Sequence, residues 1–372
     1  MRFVIFCHSL ISDWNHGNAH FLRGVASELL ARRHEVRVYE PRDGWSVTNL
    51  LRDAGTGALD EFRKAYPQLD SVRYDPVSLD LDAALADADV VLVHEWNEPA
   101  LVARIGAHRA RQGSYRLFFH DTHHRSLTQP NEMAAYELGS YDGVLAFGRV
   151  IAEAYRSRGW TRCAWTWHEA ADVRVFHPRP PSGRDGDLIW IGNWGDDERT
   201  AELNEFLIQP GRQLQLRAAV HGVRYPAEAR LALEDSGIEY RGWLPNHLVP
   251  DTFARYSLTV HIPRGPYARA VPGIPTIRVF EALACGIPLV SAPWSDTENL
   301  FTPGEDFLVA GNGEEMRVAL RALLNDPGRS EALAAHGLST VRERHTCRHR
   351  VDELLAVVRE LDAGGPSGVR AA

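Results

Sequence analysis

A chain of 372 residues is long enough for two domains of ordinary size, and 44% hydrophobic with 24% charged residues is the composition of a water-soluble globular protein. A net charge of -8 argues against a protein that coats nucleic acid or sits on anionic lipid, and the shortage of Lys beside abundant Arg reflects a GC-rich genome rather than chemistry. Cys7, Cys163, Cys285 and Cys347 lie too far apart for a zinc site or a disulfide framework, no run approaches the length of a membrane span, and MRFVIFCHSL lacks a signal-peptide core; a cytoplasmic location is expected.

Residues 2–8 read as a first strand, followed by a loop over 9–18. Phe21, Val25, Leu29 and Leu30 give 19–32 a helical period, and 34–39 a second strand. Residues 43–75 are less periodic and predict a lobe or an extended excursion. Runs at 89–94, 116–120, 143–147 and 163–167 are further strands with helices between them. Such alternation predicts a parallel, doubly wound α/β sheet with ligands at the carboxyl ends of its strands.

Those ends carry the polar residues. The first leads to His16, Gly17 and Asn18, the fourth to His94, Glu95, Trp96 and Asn97, and the next to His120, Asp121, His123, His124 and Arg125. Three histidines within five residues suggest metal, but no helix fixes their spacing, and a hydrogen-bonded substrate wall accounts for them better. Glu40 ends the second strand where a dinucleotide enzyme would bind ribose. The first turn, SDWNHGNAHFLRG, has no G-x-G-x-x-G, which argues against that class.

PRPPSGRDGD, residues 178–187, is the clearest linker by composition. Beyond it, 187–191, 215–220, 239–242, 258–262 and 287–291 read as strands and 200–208 as a helix. Two domains follow, 1–177 and 188–345, with a cleft between them. A last helix at about 348–361, within 346–372, is expected to cross back to the first domain.

The second half is organised around PGIPTIRVFEALACGIPLVSAPW, residues 272–294. Pro275 and Thr276 are helix start signals, Ile277, Phe280, Leu283 and Ala284 form an apolar face, and Gly286 with Pro288 ends the helix. A helix N-terminus suits phosphate; Arg278 could add donors, and Glu281 could accept from a ribose diol. The alternative, two surface charges on an amphipathic helix, stays open on the residues alone.

Several stretches together resemble a known family. AHFLRGVASELLARRHEVRVYEP, DADVVLVHEW, FFHDTHH, AADVRVFHP and RVFEALACGIPLVSAPWSDTENLFTPGEDFLV are similar to GT-B-fold glycosyltransferases, in particular glycosyltransferase family 4 and the spore-maturation-type subgroup of its relatives. The resemblance implies two Rossmann-like domains facing a cleft. It also implies transfer of a sugar from a nucleoside-diphosphate sugar, with retention, and without metal or other cofactor. Glu281 matches the second glutamate of the family's Glu-x7-Glu motif, and the first would fall at Gly273, a departure that touches donor identity and mechanism. The diphosphate-binding Arg and Lys are also altered: the region reads IGNWGDDER, with Arg199, Arg264 and Arg269 as candidates.

On this reading His120 and Asp121 are catalytic. Gly17, Asn18, Gly273, Thr276 and Ile277 join the arginines and Glu281 on the donor, and His94, Glu95 and Trp96 face the acceptor. Gly17 and Gly273 would let backbone approach phosphate. The acceptor (glycan, lipid, natural product or protein) is not specified, and no nucleic acid or transmembrane segment is expected. A sugar-nucleotide epimerase, or a catalytically degenerate partner protein that binds sugar nucleotides, is the alternative.

Overall fold

The computed structural model describes residues 1–180 and 183–364. The chain forms two compact units. The first comprises Met1–Glu169 together with the segment from Cys347 onward, and the second is Ala170–Thr346.

The first unit is built on a seven-stranded parallel sheet of β1 (Arg2–Phe6), β2 (Glu35–Pro41), β3 (Val72–Tyr74), β4 (Val90–His94), β5 (Arg116–Asp121), β6 (Gly143–Ala146) and β7 (Ala164–Thr166), in the order β3-β2-β1-β4-β5-β6-β7. Val90–Val93 and Leu117–Phe119 are buried on both faces, as unbroken apolar runs in a helix-covered parallel sheet must be. The stretch 43–75, expected to be a lobe or an extended excursion, is two helices, Trp45–Ala54 and Gly57–Ala65, followed by the edge strand β3. Both helices are short, and Gly55 at a positive φ interrupts the stretch between them. Helix Cys347–Asp362 belongs to this unit and packs on helix Ala19–Ala31.

The second unit repeats the plan with β8 (Gly186–Ile191), β9 (Ala218–His221), β10 (Ile238–Tyr240), β11 (Tyr256–His261), β12 (Leu289–Ser291) and β13 (Leu308–Val309), in the order β10-β9-β8-β11-β12-β13. The expected linker at 178–187 lies within this unit, Pro181 and Ser182 being outside the described residues. Residues 170–177 are tied in by the Ala171–Thr346 bridge and by Phe176, which is fully buried. The expected helix at 200–208 runs on through Gln213, passing Pro210 by a π-turn at Asn204–Ile208. A wider turn relieves the contact between a proline ring and the preceding helix backbone.

Both strand orders reverse direction once, between β1 and β4 and between β8 and β11. In open α/β sheets these switch points leave a crevice at the carboxyl ends of the two strands.

Candidate functional sites at the two switch points

In the second unit the crevice is occupied by Arg199. Its guanidinium donates to the carbonyls of Trp194 (3.2 Å), Ile262 (2.8 Å) and Asn193, so it joins the loop after β8 to the loop after β11. The first loop is held from elsewhere too: Val223 N–H donates to Asn193 Oδ1 at 2.9 Å and the Tyr225 hydroxyl to the Gly192 carbonyl at 2.8 Å. Arg264 lies beside Arg199. A Cβ on Gly195, whose φ is 84°, would sit 3.0 Å from Arg199 Nε and 3.2 Å from Arg264 Nε. Burial, and then the charge of Arg264, lower the Arg199 pKa to about 9, so it remains a cation at neutral pH. Its hydrogen bonds go to neutral carbonyls, while Arg264 shares its charge with Glu198 at 3.4 Å. Net positive charge is thus held inside the crevice, which suits an anion.

Helix Ile277–Cys285 adds a second source of positive potential. Thr276 stands at its N-cap but makes no side-chain cap bond. Its hydroxyl lies 3.1 Å from His261 Nε2, and His261 Nδ1 lies 2.9 Å from Ser291 Oγ. Ser291 Oγ donates to the Ala292 carbonyl, so it accepts from His261 Nδ1–H, and the Thr276 hydroxyl donates to Nε2. Burial lowers the His261 pKa to about 3, consistent with that neutral tautomer. The expected cap therefore tethers the helix to β11 and β12 and leaves the first turn without a side-chain cap. Gly286 ends the helix in the left-handed conformation at φ 66°, as the sequence predicts.

Arg278 and Glu281 meet each other on this helix. Glu281 is fully buried; one oxygen accepts from Asn246 Nδ2 at 2.9 Å and the other from Arg278 Nη1. Two separate surface charges on an amphipathic helix are excluded, and so are fully independent roles for the two. Arg269 is 70% exposed and pairs with Glu202 at 3.4 Å, its guanidinium lying against Gly265. Gly273 has a φ of 89°, but its open side is taken up by Thr297 and Glu298 rather than left for phosphate. Ile277 is buried at the helix start.

In the first unit the crevice has the loop 9–18 on one side. Glu40, weighed as a ribose ligand, accepts instead from Ser9 Oγ and Leu10 N–H at 2.7 Å each, and from Ser71 Oγ. Arg23, buried against the rings of Phe62 and Tyr66, donates to the carbonyls of Leu10 (2.8 Å) and Ile11 (3.0 Å) and pairs with Asp13 at 2.8 Å. The loop is thereby fixed through both its donors and its acceptors. Asn97 joins the strands as Arg199 does, its Nδ2 donating to the carbonyls of Phe6 (2.9 Å) and His94 (2.8 Å).

Around this point Thr122 is the hub. It donates to Glu95 Oε1 at 3.0 Å and accepts from Asn18 Nδ2, so His94 Nε2, 3.1 Å away, also donates to it. Asn18 spends its side chain here and not on capping its helix. Gly17 has ordinary backbone geometry, its carbonyl accepting from His20 N–H at 3.4 Å. Burial, and then Asp121, push the Glu95 pKa well up; burial pushes that of Asp121 to about 6. Asp121 accepts from His123 N–H and the Tyr155 hydroxyl, 2.9 Å each, so both its oxygens hold structure. His120 is buried against Phe21, Trp167 and His94, with a pKa near 3 and Nε2 without a partner.

His124 is buried and lies 2.7 Å from Thr128 Oγ1, because helix Arg125–Thr128 folds back beneath it. Among the described residues no group of three or more His, Cys, Asp or Glu could hold a metal ion. Trp96 stays 41% exposed, with the Arg125 guanidinium 4.1 Å from its ring centroid. Sequence reading missed Arg23, Thr122, Asn246 and His261, whose partners lie ten or more positions away.

Two parallel-sheet Rossmann-like units with these strand orders match solved structures over nearly their whole length. HepE of Anabaena, solved with UDP and glucose, is 14% identical over 97% of this chain and 100% of its own, with a TM-score of 0.69. An α-glucosyltransferase solved with UDP and a 13-mer DNA is 11% identical over 96% and 99%, with a TM-score of 0.71. Sucrose-phosphate synthase of Thermosynechococcus elongatus is 13% identical over 98% and 100%, with a TM-score of 0.65. The chain has the GT-B glycosyltransferase fold. Residues 199–356 match the family model described as glycosyl transferase-like. No curated protein matches the chain.

Proposed function

We propose that this GT-B chain is a glycosyltransferase that moves a sugar from a nucleoside-diphosphate sugar to an acceptor, with retention and without a metal ion. One observation carries the reading: a half-buried, charged Arg199 beside Arg264, in the same unit as an uncapped helix start bearing Arg278. The departing diphosphate gains negative charge in the transition state, and fixed positive groups already turned to it lower the barrier without reorganising. With arginines in that role a divalent cation is not required. The neighbours solved with UDP support a nucleotide donor. Glu281, held by Arg278 and Asn246, is the group assigned to the ribose diol in this proposal.

The first unit supplies the acceptor side in this proposal, through His94, Glu95 and Trp96. His120, neutral through the physiological range, can donate or accept one hydrogen bond near the transferred sugar but is too weakly basic to hold a proton at pH 7. Four buried free cysteines fit a cytoplasmic setting.

Incubation with a panel of nucleotide sugars, with detection of free nucleoside diphosphate, tests the reading. Release that rises with an added acceptor is the expected result. Isomerised nucleotide sugar with no acceptor product would mark an epimerase instead, and no turnover with retained binding a catalytically degenerate partner protein.

A further inference from the structure

Gly273 lies in the loop that leads into helix Ile277–Cys285, with a left-handed φ of 89°. The space beside its α-carbon is filled from another loop: a Cβ there would lie 2.7 Å from Glu298 Cγ, 2.9 Å from Glu298 Oε1 and 2.8 Å from Thr297 Oγ1. The two loops are joined by Gly273 N–H donating to the Ser295 carbonyl at 2.6 Å. The second is braced by Asp296, whose carboxylate accepts from Leu300 N–H (3.1 Å) and Phe301 N–H (2.9 Å). Glu298 is half-buried in this arrangement. Its carboxylate therefore lies beside Gly273, in the loop that leads into the uncapped helix.

We propose that Glu298 is a specificity-determining residue that recognises the hydroxyl groups of the transferred sugar, an inference that rests on the donor reading above. Ile277 is four positions after Gly273, roughly 14 Å of chain at most. A diphosphate held at the helix start places its attached sugar within that range. A carboxylate repels phosphate and accepts hydrogen bonds from neutral hydroxyls, so the sign of its charge assigns Glu298 to the sugar and not to the diphosphate. Glycine at 273 is needed because any side chain there would displace the carboxylate and would strain the left-handed backbone.

The test is calorimetric titration of wild type and Glu298→Gln with UDP, ADP, GDP and dTDP, each free and as its glucose ester. Wild type should bind at least one pair, with Glu298→Gln leaving the free diphosphate within about twofold and weakening the sugar ester roughly tenfold, the usual worth of one charge-assisted bond. Equal weakening of both ligands would show that Glu298 only braces the loop, and unchanged affinity for both would remove it from the site; either overturns the proposal while the donor reading stands. Failure of wild type to bind any of the eight overturns the donor reading and this inference with it. Should Glu298→Gln fail to fold, Glu298→Asp, which keeps the charge but retracts it by one methylene, is compared in the same way.

Discussion

At the scale of single residues, the decisive physics is burial. Glu281 read as a ribose ligand on a helix surface; folded, it is a buried carboxylate held by Arg278 and Asn246. Glu281→Gln should therefore weaken nucleoside diphosphate binding and also destabilise the unliganded chain by about 1.5–3 kcal/mol, the cost of losing a bond to a charged group, seen as a Tm lower by several degrees. An unchanged Tm would mean the ion pair contributes nothing to folding. Burial sets the pH response too. His8, His16, His94, His120 and His261 all have pKa values pushed down by desolvation, to about 4 for His8 and about 3 for His120 and His261. The unfolded chain takes up these protons near pH 6.5 and the folded chain refuses them, so stability is intact above pH 6.5 and falls as pH drops towards 4. Asp121 and Glu95, pushed upward, act with the opposite sign, favouring the folded state as pH falls below about 6. Five imidazoles outweigh two carboxyls, so Tm should be lower at pH 5 than at pH 7.5, and His120→Gln should lessen the difference. A Tm that rises on acidification would contradict neutral buried imidazoles. The longer couplings had no local signature: Thr122 meets Asn18 across 104 positions and Asn246 meets Glu281 across 35, whereas Arg278 and Glu281 face each other at i,i+3 on one helix.

At the scale of elements, long buried runs were legible, as were the edge strands β7 and β10, while the edge strands β3 and β13 were not. Strands β1, β4 and β5 carry continuous apolar segments that only a sheet covered on both faces can accommodate. Strands β3 and β13, of three and two residues, lie at sheet edges where half their pairing is missing and no period has room to develop. Helix Ile277–Cys285 was legible in its extent, from its start signals and Gly286, but not in its depth. One apolar face was expected, whereas Val279, Phe280, Glu281 and Ala282 are all buried, because helix Pro327–Arg344 packs against it. That approach depends on Gly337, where a Cβ would lie 2.7 Å from Leu283 Cδ2 and 2.8 Å from the Asp306 carbonyl. Gly337→Ala should accordingly destabilise the second unit by roughly 1–3 kcal/mol, as overpacking does. Urea unfolding followed by tryptophan fluorescence would measure it; a stabilised variant would show that the helices can separate at no cost.

At the scale of the whole molecule, the chain order and the units do not coincide, because the last helix belongs with the first strands. Helix Cys347–Asp362 places Val351, Leu354 and Val358, all buried, against the first unit, where it packs on helix Ala19–Ala31. Arg350's carbonyl accepts from Trp167 Nε1 at 2.7 Å, Arg32 pairs with Asp352 and Arg116 with Asp362 at 2.8 Å. The ion pairs are largely exposed and contribute little. The three aliphatic side chains are worth about 1.5–3 kcal/mol each, and their sum is comparable with the roughly 5–15 kcal/mol that holds a typical domain together. A chain ended after Thr346 keeps every strand of both sheets, yet it should lose hydrogen-exchange protection in β1–β7 while β8–β13 remain protected. It should also retain nucleoside diphosphate binding if the donor site is built within the second unit alone. Protection lost equally in both sheets would show that the units fold as one. Protection kept in both would show that the helix is an ornament on a first unit already stable without it.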